Sequence, residues 1–466
     1  MKTLATLRRL RRRIPQHRRY TQPAGSPDAL NAIVHTPKHA QPATPTGPLH
    51  AWTVSLKSNL SCTQTPTTCG SPVLQQYTAP GDSTVWRLLQ QAGARLVGAS
   101  NMDEFGMGAH TRDSVHGRTR NPWDAQRSAG GSSGGAAAAV ARGVCRVAVG
   151  SDTGGSVRLP AAWCGVVGYK PSYGLISRAG LVAYGSSLDT VGLLARTPCD
   201  VRSVLSILAH PDTRDMTCMP ADLRQRIARL CGERNARRGA RGLRVGVAQE
   251  TWVHELSPAS LRAWRRACSA LREMGCSVER VTLPHVRDAL PAYYTVALAE
   301  AASNLARFDG VRYGEGRGVL GKEAARRVLL GGYVALAEAS QGFLRPAQRV
   351  RRLVQRDFDR VFALPNALLH GGGWDSGEDG VDLLLLPTAV GAAPEVGREL
   401  AAEMACRAAG YVDDVMTVPA NLAGIPAVSV PFGSDRGMPL GLQLMAQYGD
   451  DDLLLDMAER LANAAD

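Results

Sequence analysis

The sequence has no apolar run of about 18 residues, the length that a membrane-spanning helix needs. Its longest apolar stretches are of strand length, as at Leu383–Leu386. The ten cysteines include no CxxC pair, and several lie in apolar surroundings. We therefore expect buried free thiols in a reducing compartment, rather than disulfides or a metal site. The sequence thus indicates neither a membrane-spanning helix nor a cysteine-ligated metal.

Signatures of several enzyme classes are also missing. There is no G-x-S-x-G elbow of the kind that carries the serine nucleophile of α/β-hydrolases. None of the ten histidines belongs to a recognisable catalytic motif. We find neither a phosphate-binding P-loop nor a tRNA-binding motif. The sequence therefore predicts no Ser–His–Asp mechanism.

Acidic residues are absent before Asp28, whereas eight basic residues precede it and supply eight of the 13 net positive charges. An Arg-rich, acid-free segment with interspersed leucines resembles a mitochondrial presequence, and it lacks the apolar core of a secretory signal. A disordered basic arm that contacts RNA or phosphate is the alternative. We predict a disordered presequence over residues 1–25 and one folded domain over residues 26–466.

Hydrophobic periodicity predicts strands alternating with helices, for example a helix at Thr84–Ala92, a strand at Arg95–Ala99 and a helix at Val296–Ala306. This alternation is typical of an α/β fold with a central mixed β-sheet surrounded by helices. The basic segment Cys231–Gly242 is predicted to be an exposed loop. The Gly- and acid-rich segment Asn366–Gly380 is predicted to be a surface insertion.

Two glycine- and serine-rich loops flank a short apolar segment. The first, Gly130–Gly135, runs into the helix formers of 136–141, so it lies at a helix N-terminus, where unpaired N–H groups favour negative charge. Val144–Gly150 is valine-rich, which predicts a buried strand. The second loop, Ser151–Ser156, follows that strand. Each loop therefore places hydroxyl groups beside free backbone donors, which is what an acyl-transfer site needs.

A lysine completes the pattern at the end of the strand-like run Trp52–Lys57. Lys57, Ser132 and Ser156 are separated by 75 and 24 residues. With this spacing, nearly the whole chain after about residue 30 resembles the amidase signature family. The resemblance implies an amidase-signature fold over residues 26–466 and a catalytic triad of a serine, a second serine after a cis peptide bond, and a lysine.

In this family the three side chains have separate roles. By resemblance, Ser156 would attack the amide carbonyl and Ser132 would relay its proton to Lys57. A lysine can act as this base when burial or a nearby cation lowers its pKa. The backbone N–H groups that would form the oxyanion hole belong to Thr153, Gly154, Gly155 and Ser156.

Three further segments resemble the A subunits of glutamyl-tRNA(Gln) amidotransferases, a branch of the same family. They are Asn101–Gly108, Asn304–Gly314 and Thr417–Pro426. The substrate in that branch is free glutamine, a zwitterion that needs a cation for its carboxylate and an anion for its amine.

The same resemblance assigns residues to glutamine. Arg351 would bind the α-carboxylate, although it lies on an Arg-rich helix that could simply be solvated. Asp414 would hold the α-amine, and Tyr313 would contact the same ligand. The stretch between Tyr313 and Arg351 is shortened in this chain.

The resemblance also implies partners. This chain would release ammonia from glutamine and need no cofactor or metal of its own. A B subunit would use ATP and Mg²⁺ to activate Glu-tRNA(Gln) and accept the ammonia through a channel, and a small third subunit would complete a heterotrimer. The complex would make Gln-tRNA(Gln) for translation in the mitochondrial matrix, without a membrane.

Two alternatives stay open. One is a stand-alone amidase that acts on a small or fatty amide, which would not need Arg351 and Asp414 as a pair. The other is a structural subunit with an inert site, against which the intact triad argues.

Overall fold

The computed structural model describes residues 29–37, 47–238, 242–313, 315–369, 380–398 and 409–465. Within these ranges eleven strands form one sheet, in the order β1-β3-β2-β4-β6-β5-β10-β11-β9-β7-β8. The strands are β1 (Ile33–His35), β2 (Thr53–Lys57), β3 (Arg95–Ser100), β4 (Val147–Asp152), β5 (Val167–Lys170), β6 (Thr190–Ala195), β7 (Arg244–Ala248), β8 (Ser277–Val281), β9 (Leu383–Pro387), β10 (Ala427–Asp435) and β11 (Met438–Ala446).

Helices of the described ranges pack against this sheet and against one another. They are α1 (Thr84–Gln91), α2 (Gly134–Ala141), α3 (Arg158–Cys164), α4 (Pro198–Leu208), α5 (Ala221–Arg238), α6 (Pro258–Glu273), α7 (Ala289–Leu305), α8 (Lys322–Ala335), α9 (Ala337–Ser340), α10 (Leu344–Val361), α11 (Val418–Ala423) and α12 (Asp451–Asn463).

The sheet contains both strand directions. β2 pairs in parallel with β3 on one side and with β4 on the other. β4, β6, β5, β10, β11 and β9 then follow one another in antiparallel pairs, and β7 is parallel to both β9 and β8. The predicted α/β fold with a central mixed sheet is therefore confirmed, including the helix at Thr84 and the strand at Arg95.

Helix α2 is built from small residues so that it can lie close to neighbouring backbone. All of its residues from Gly134 to Val140 are buried, and it contacts β2, β4 and β6. A Cβ atom at Gly135 would come within 2.4 Å of the backbone nitrogen of Asn101. Because no side chain fits there, glycine is required where the first loop enters the helix.

The prediction of a loop at Cys231–Gly242 is wrong over residues 231–238, which form the last turns of α5. Exposure is confirmed at Gly232, Glu233, Asn235 and Ala236. Arg234 departs from the predicted exposure, because its side chain is only 6% exposed. Its guanidinium binds Asp450 and lies 4.0 Å from the carboxylate of Asp382. These partners are distant in sequence, so the local pattern does not reveal the burial.

The predicted helix at Val296–Ala306 is confirmed, but it begins seven residues earlier, at Ala289. Pro291 lies in its first turn, where the missing N–H removes no helical hydrogen bond. The predicted presequence, residues 1–25, lies outside the described residues, as do positions 239–241 of the predicted loop and 370–379 of the predicted insertion.

Nine of the ten cysteines fall in the described ranges, and all nine are free thiols. Six of them are buried, as the composition predicted, and Cys406 lies outside the described residues. None of the helices in these ranges combines the length and apolar character needed to cross a bilayer.

Candidate active site

Lys57, the last residue of β2, is fully buried. Its Nζ lies 2.7 Å from Ser132 Oγ, 3.0 Å from Ser151 Oγ and 3.2 Å from the Ser151 carbonyl oxygen. Burial lowers the pKa of Lys57 to about 7, although the carboxylates of Asp103 and Asp152 act in the opposite direction. A lysine with this pKa is partly neutral near pH 7, so its amine can accept a proton.

Ser132 is 1% exposed and follows a cis peptide bond from Gly131. A Cβ atom at Gly131 would come within 2.3 Å of Asp103 Oδ2, so the loop lies directly on this carboxylate. Asp103 also accepts hydrogen bonds from the backbone N–H groups of Thr111 and Arg112, both at 2.8 Å. The buried acid therefore holds the backbone at Thr111 and Arg112 and packs against the loop that carries Ser132.

Ser156 is half-buried on the neighbouring loop. The Ser133 N–H donates to the Ser156 carbonyl oxygen at 3.0 Å, and this bond holds the two loops side by side. Ser133 Oγ also donates to the Ser151 carbonyl oxygen at 3.3 Å. The Lys57–Ser132 half of the predicted proton relay is thus in hydrogen-bond contact, whereas no Ser132–Ser156 side-chain bond is formed among the described residues.

The predicted oxyanion hole is a turn of free backbone donors. In the described part of the chain, no acceptor is bonded to the N–H groups of Thr153–Ser156. Cβ atoms at Gly154 and Gly155 would come within 2.4 Å of the Tyr293 hydroxyl and 2.2 Å of Thr417 Oγ1, respectively. Thr417 Oγ1 also donates to the Gly154 carbonyl oxygen at 2.6 Å, which orients the turn. N–H groups fixed in this way can stabilise a developing oxyanion.

A buried ion pair brackets the second loop. In the structure the loop is shorter than predicted and spans residues 153–157, because Ser151 and Asp152 belong to β4. Asp152 precedes it, Arg158 begins α3 after it, and both side chains are 0% exposed with Nη2 and Oδ1 2.8 Å apart. Burial by itself would raise the pKa of Asp152, but the adjacent guanidinium lowers it to about 2. Arg158 Nη1 also donates to the Thr417 carbonyl oxygen at 2.9 Å. The pair therefore links the loop to the segment around Thr417.

We expect Arg158→Met to lower the free energy of unfolding by about 3–5 kcal/mol, because it leaves the Asp152 carboxylate buried without its partner. Urea denaturation measures this change. Arg398→Met is the matched control, since Arg398 is 83% exposed and pairs with Glu395 at the surface, where ion pairs contribute little. Equal losses in the two variants would contradict a structural role for the buried pair.

Arg351, on α10, has all three guanidinium nitrogens engaged within the chain. Nη1 donates to Ser187 Oγ at 2.6 Å, Nη2 to the Ser187 carbonyl oxygen at 2.9 Å, and Nε to the Leu422 carbonyl oxygen at 3.1 Å. Burial lowers the pKa of Arg351, and the nearby Glu300 carboxylate opposes this effect. Glu300 in turn accepts the Ser187 hydroxyl at 2.6 Å, so the arginine is held in a fixed position.

Asp414 lies against the loop of the predicted nucleophile, because a Cβ atom at Gly155 would come within 3.3 Å of its Oδ1. The Tyr294 hydroxyl donates to Asp414 Oδ2 at 2.6 Å. Burial raises the pKa of Asp414 to about 6. Tyr313 is 54% exposed, and no contact in the described ranges joins it to Asp414 or Arg351. Its role in glutamine binding stays a prediction.

The sequence did not point to several residues that complete the site. Ser151 contacts Lys57 and is the next-to-last residue of β4, the strand beside β2, rather than the first residue of the predicted loop. Its place near the end of a strand that neighbours the strand of Lys57 was the available signal. Thr417 lies in a segment already singled out by resemblance, but without a role. Tyr293 and Tyr294 precede the predicted start of their helix. In the described residues, no cluster of three or more His, Cys, Asp or Glu side chains could hold a metal ion.

A family model described as Amidase matches residues 4–455. The chain belongs to the amidase family. Relatives in this family include the A subunit of the mitochondrial glutamyl-tRNA(Gln) amidotransferase of Ajellomyces capsulatus, which is 41% identical with 89% of each chain covered. The protein of the same name from Mycosarcoma maydis is 42% identical over 93% of this chain and 88% of its own length.

Solved amidase structures share the fold. The A subunit of the glutamyl-tRNA(Gln) amidotransferase of Thermotoga maritima is 34% identical, with a TM-score of 0.75 over 93% of this chain and 87% of its own. A 6-aminohexanoate cyclic dimer hydrolase is 29% identical, with a TM-score of 0.75 over 90% and 86%. The amidase-signature fold predicted by resemblance is therefore confirmed.

Proposed function

We propose that this chain is the glutamine-hydrolysing A subunit of a glutamyl-tRNA(Gln) amidotransferase. The observation that carries the proposal is the placement of a buried Lys57–Ser132 pair, 2.7 Å apart, beside a loop of free N–H groups against which Asp414 packs. This arrangement puts acyl-transfer chemistry next to an anion that can bind an amine. Relatives of that name, 41–42% identical over about nine-tenths of the chain, support it.

The reaction would proceed through an ester. Ser156 Oγ attacks the γ-amide carbon of glutamine, and its proton passes through Ser132 to the neutral amine of Lys57. The N–H groups of Thr153–Ser156 stabilise the oxyanion. The C–N bond then breaks as the relay returns the proton to the departing ammonia. Water hydrolyses the γ-glutamyl ester on Ser156, which releases glutamate and restores the site.

Substrate recognition would use the two charged residues. Asp414 binds the α-ammonium group, and Arg351 binds the α-carboxylate by exchanging one of its bonds to Ser187 for the substrate. An arginine fork matches a carboxylate well. The neighbouring Glu300 accepts the Ser187 hydroxyl and keeps that serine in place when the exchange occurs.

The ammonia would be used by a partner. Within the proposed heterotrimer a B subunit activates Glu-tRNA(Gln) with ATP and Mg²⁺, and a small third subunit completes the assembly. A closed passage would deliver ammonia without protonation in water. The relatives are named as subunits of an amidotransferase, several of them mitochondrial. Together with the Arg-rich N-terminal segment, these names support a mitochondrial matrix location.

The stand-alone amidase remains the second candidate. Its support is the engagement of all three Arg351 guanidinium nitrogens within the chain and the shared fold of a solved 6-aminohexanoate cyclic dimer hydrolase. In that case Arg351 and Asp414 would serve the fold, and glutamine would have no advantage over simpler amides.

We expect Arg351→Ala and Asp414→Ala each to weaken glutamine binding, because each variant loses recognition of one charged group of the substrate. Losing one partner of a buried charge pair costs about 2–5 kcal/mol, or about 30- to 4,000-fold in affinity. The losses should appear mainly as a raised KM for glutamine. Two analogues separate the roles: 4-aminobutanamide lacks the carboxylate, and glutaramate lacks the amine. The measurement is kcat/KM for all three amides, with the partner subunits present.

Each variant should spare the analogue that lacks its ligand group. Arg351→Ala should hydrolyse 4-aminobutanamide as the unchanged protein does, and Asp414→Ala should do so with glutaramate. The triad itself is intact in both variants. Equal losses on all three amides would contradict glutamine recognition by these residues and favour the stand-alone amidase.

A further inference from the structure

Asp414 borders a cluster of tyrosines that the proposed reaction does not use. We call it the tyrosine cluster, and its members are Tyr184, Tyr293, Tyr294 and Tyr411. The Tyr294 ring stacks on Tyr411 with centroids 4.0 Å apart and meets Tyr293 edge-on at 5.0 Å. Tyr294 is only 7% exposed, and its hydroxyl reaches the Asp414 carboxylate at 2.6 Å. The packing of these rings therefore holds the Tyr294 hydroxyl in position to donate to Asp414.

Arg327 of α8 lies behind this donor and is 6% exposed. Its guanidinium is 5.6 Å from the ring centroid of Tyr294 and 5.7 Å from that of Tyr411. Nη1 donates to the Tyr184 hydroxyl at 3.2 Å, and Nε donates to Glu323 at 2.6 Å. A buried cation over these rings is positioned to orient Tyr294 and to act electrostatically on the nearby carboxylate.

The charges around Asp414 oppose one another. Burial, Asp413 on the same turn and Asp152 at the end of β4 disfavour its ionised form, whereas the Tyr294 hydroxyl and Arg327 favour it. On α7, Tyr293 also lies close enough to interact electrostatically with Asp414. Asp413 itself lies 3.3 Å from His110. Without Tyr294 and Arg327, the balance would shift towards a protonated acid that cannot pair with an ammonium group.

We infer that Tyr294 and Arg327 are positioning residues for substrate recognition, which hold the Asp414 carboxylate in place and ionised so that it binds the α-ammonium group of glutamine. This inference rests on the proposed function. It assigns to the tyrosine cluster a role in selecting α-amino acid amides over amides that lack the amine.

The test is the ratio of kcat/KM for glutamine to kcat/KM for glutaramate, measured between about pH 5 and 8. Titration of Lys57 affects both substrates and cancels in the ratio, so the ratio reports Asp414. In the unchanged protein the ratio should fall as the pH drops through about 6, because protonated Asp414 no longer attracts the ammonium group. The glutaramate profile alone should show the Lys57 step near pH 7 but no additional step near pH 6.

Tyr294→Phe should move the midpoint of this ratio upwards by about 1 to 2 pH units, since a hydrogen bond to a charged group is lost. The KM for glutamine should rise near neutral pH and recover at higher pH, with kcat nearly unchanged. A purely structural role would not produce recovery with pH. Arg327→Lys, which keeps the cation, should shift the midpoint less than Arg327→Met does.

Tyr169→Phe is the matched control. It removes an equivalent hydroxyl, which donates to the Asp451 carboxylate at 2.5 Å outside the site, so the midpoint should not move. An unchanged midpoint in Tyr294→Phe, with the step present in the unchanged protein, would overturn this inference alone. Absence of the step in the unchanged protein, with equal losses for Asp414→Ala on both substrates, would overturn the proposed function as well.

Discussion

Ser156→Ala is expected to abolish glutamine hydrolysis, with a loss of about 10⁴-fold or more in kcat. Without its hydroxyl the chain has no nucleophile for the amide carbon, and the oxyanion hole and binding residues supply only residual acceleration. The fold should be unaffected, because this half-buried hydroxyl has no hydrogen-bond partner among the described residues. Ammonia release by the assembled complex measures the rate, and the urea midpoint measures the fold.

Ser203→Ala controls for the loss of a serine hydroxyl. Its Oγ donates to the Cys199 carbonyl oxygen on the exposed side of α4, far in the chain from both loops. We expect normal turnover in this variant. Turnover near normal in Ser156→Ala itself would mean that the nucleophile lies elsewhere.

Lys57→Ala and Ser132→Ala should each reduce activity nearly as much as Ser156→Ala, and the double variant should lose little more. The two side chains are 2.7 Å apart and act on one proton, so removing either interrupts the same relay. Lys57→Arg should be equally inactive although it keeps the positive charge, because a guanidinium does not release its proton in proteins.

The pH dependence follows from the same lysine. Its pKa of about 7 means that the amine is protonated, and unable to act as a base, below pH 7. For every amide substrate, kcat/KM should therefore rise as the pH increases through about 7 and then level off. Fully additive losses in the double variant, or a flat profile with glutaramate, would contradict a Lys57–Ser132 relay.

The centre of the site could be predicted because the two glycine- and serine-rich loops are local patterns, and because the resemblance to the amidase signature family added Lys57, which is 75 residues from Ser132. Glycines at fixed positions, hydroxyls beside them and a lysine at a strand end are visible as residue types and spacings. The structure places Lys57 against Ser132 and the loop of Ser156 beside them. It also places Asp414 against that loop. Their catalytic and binding roles stay predictions until the variants are measured.

The end of α5 and the contact between Tyr294 and Asp414 could not be predicted, because they depend on residues that are distant in the chain. Arg234 is buried against Asp450, 216 residues away, so the local sequence predicts an exposed basic loop where the structure has the end of a helix. Tyr294 meets Asp414 across 120 residues. Its helix begins at Ala289, seven residues before the predicted start. Pro291 is compatible with the first turn of a helix, although proline would interrupt the helix interior. Such contacts exist only in the folded chain.

The central claim is that Ser156 forms a covalent γ-glutamyl ester during glutamine hydrolysis. The most direct measurement mixes the assembled complex with isotopically labelled glutamine, quenches in acid during turnover and locates the label by peptide mass spectrometry. We predict label on Ser156, and none in Ser156→Ala. Active turnover without label on Ser156, or with label on a different residue, would contradict the account.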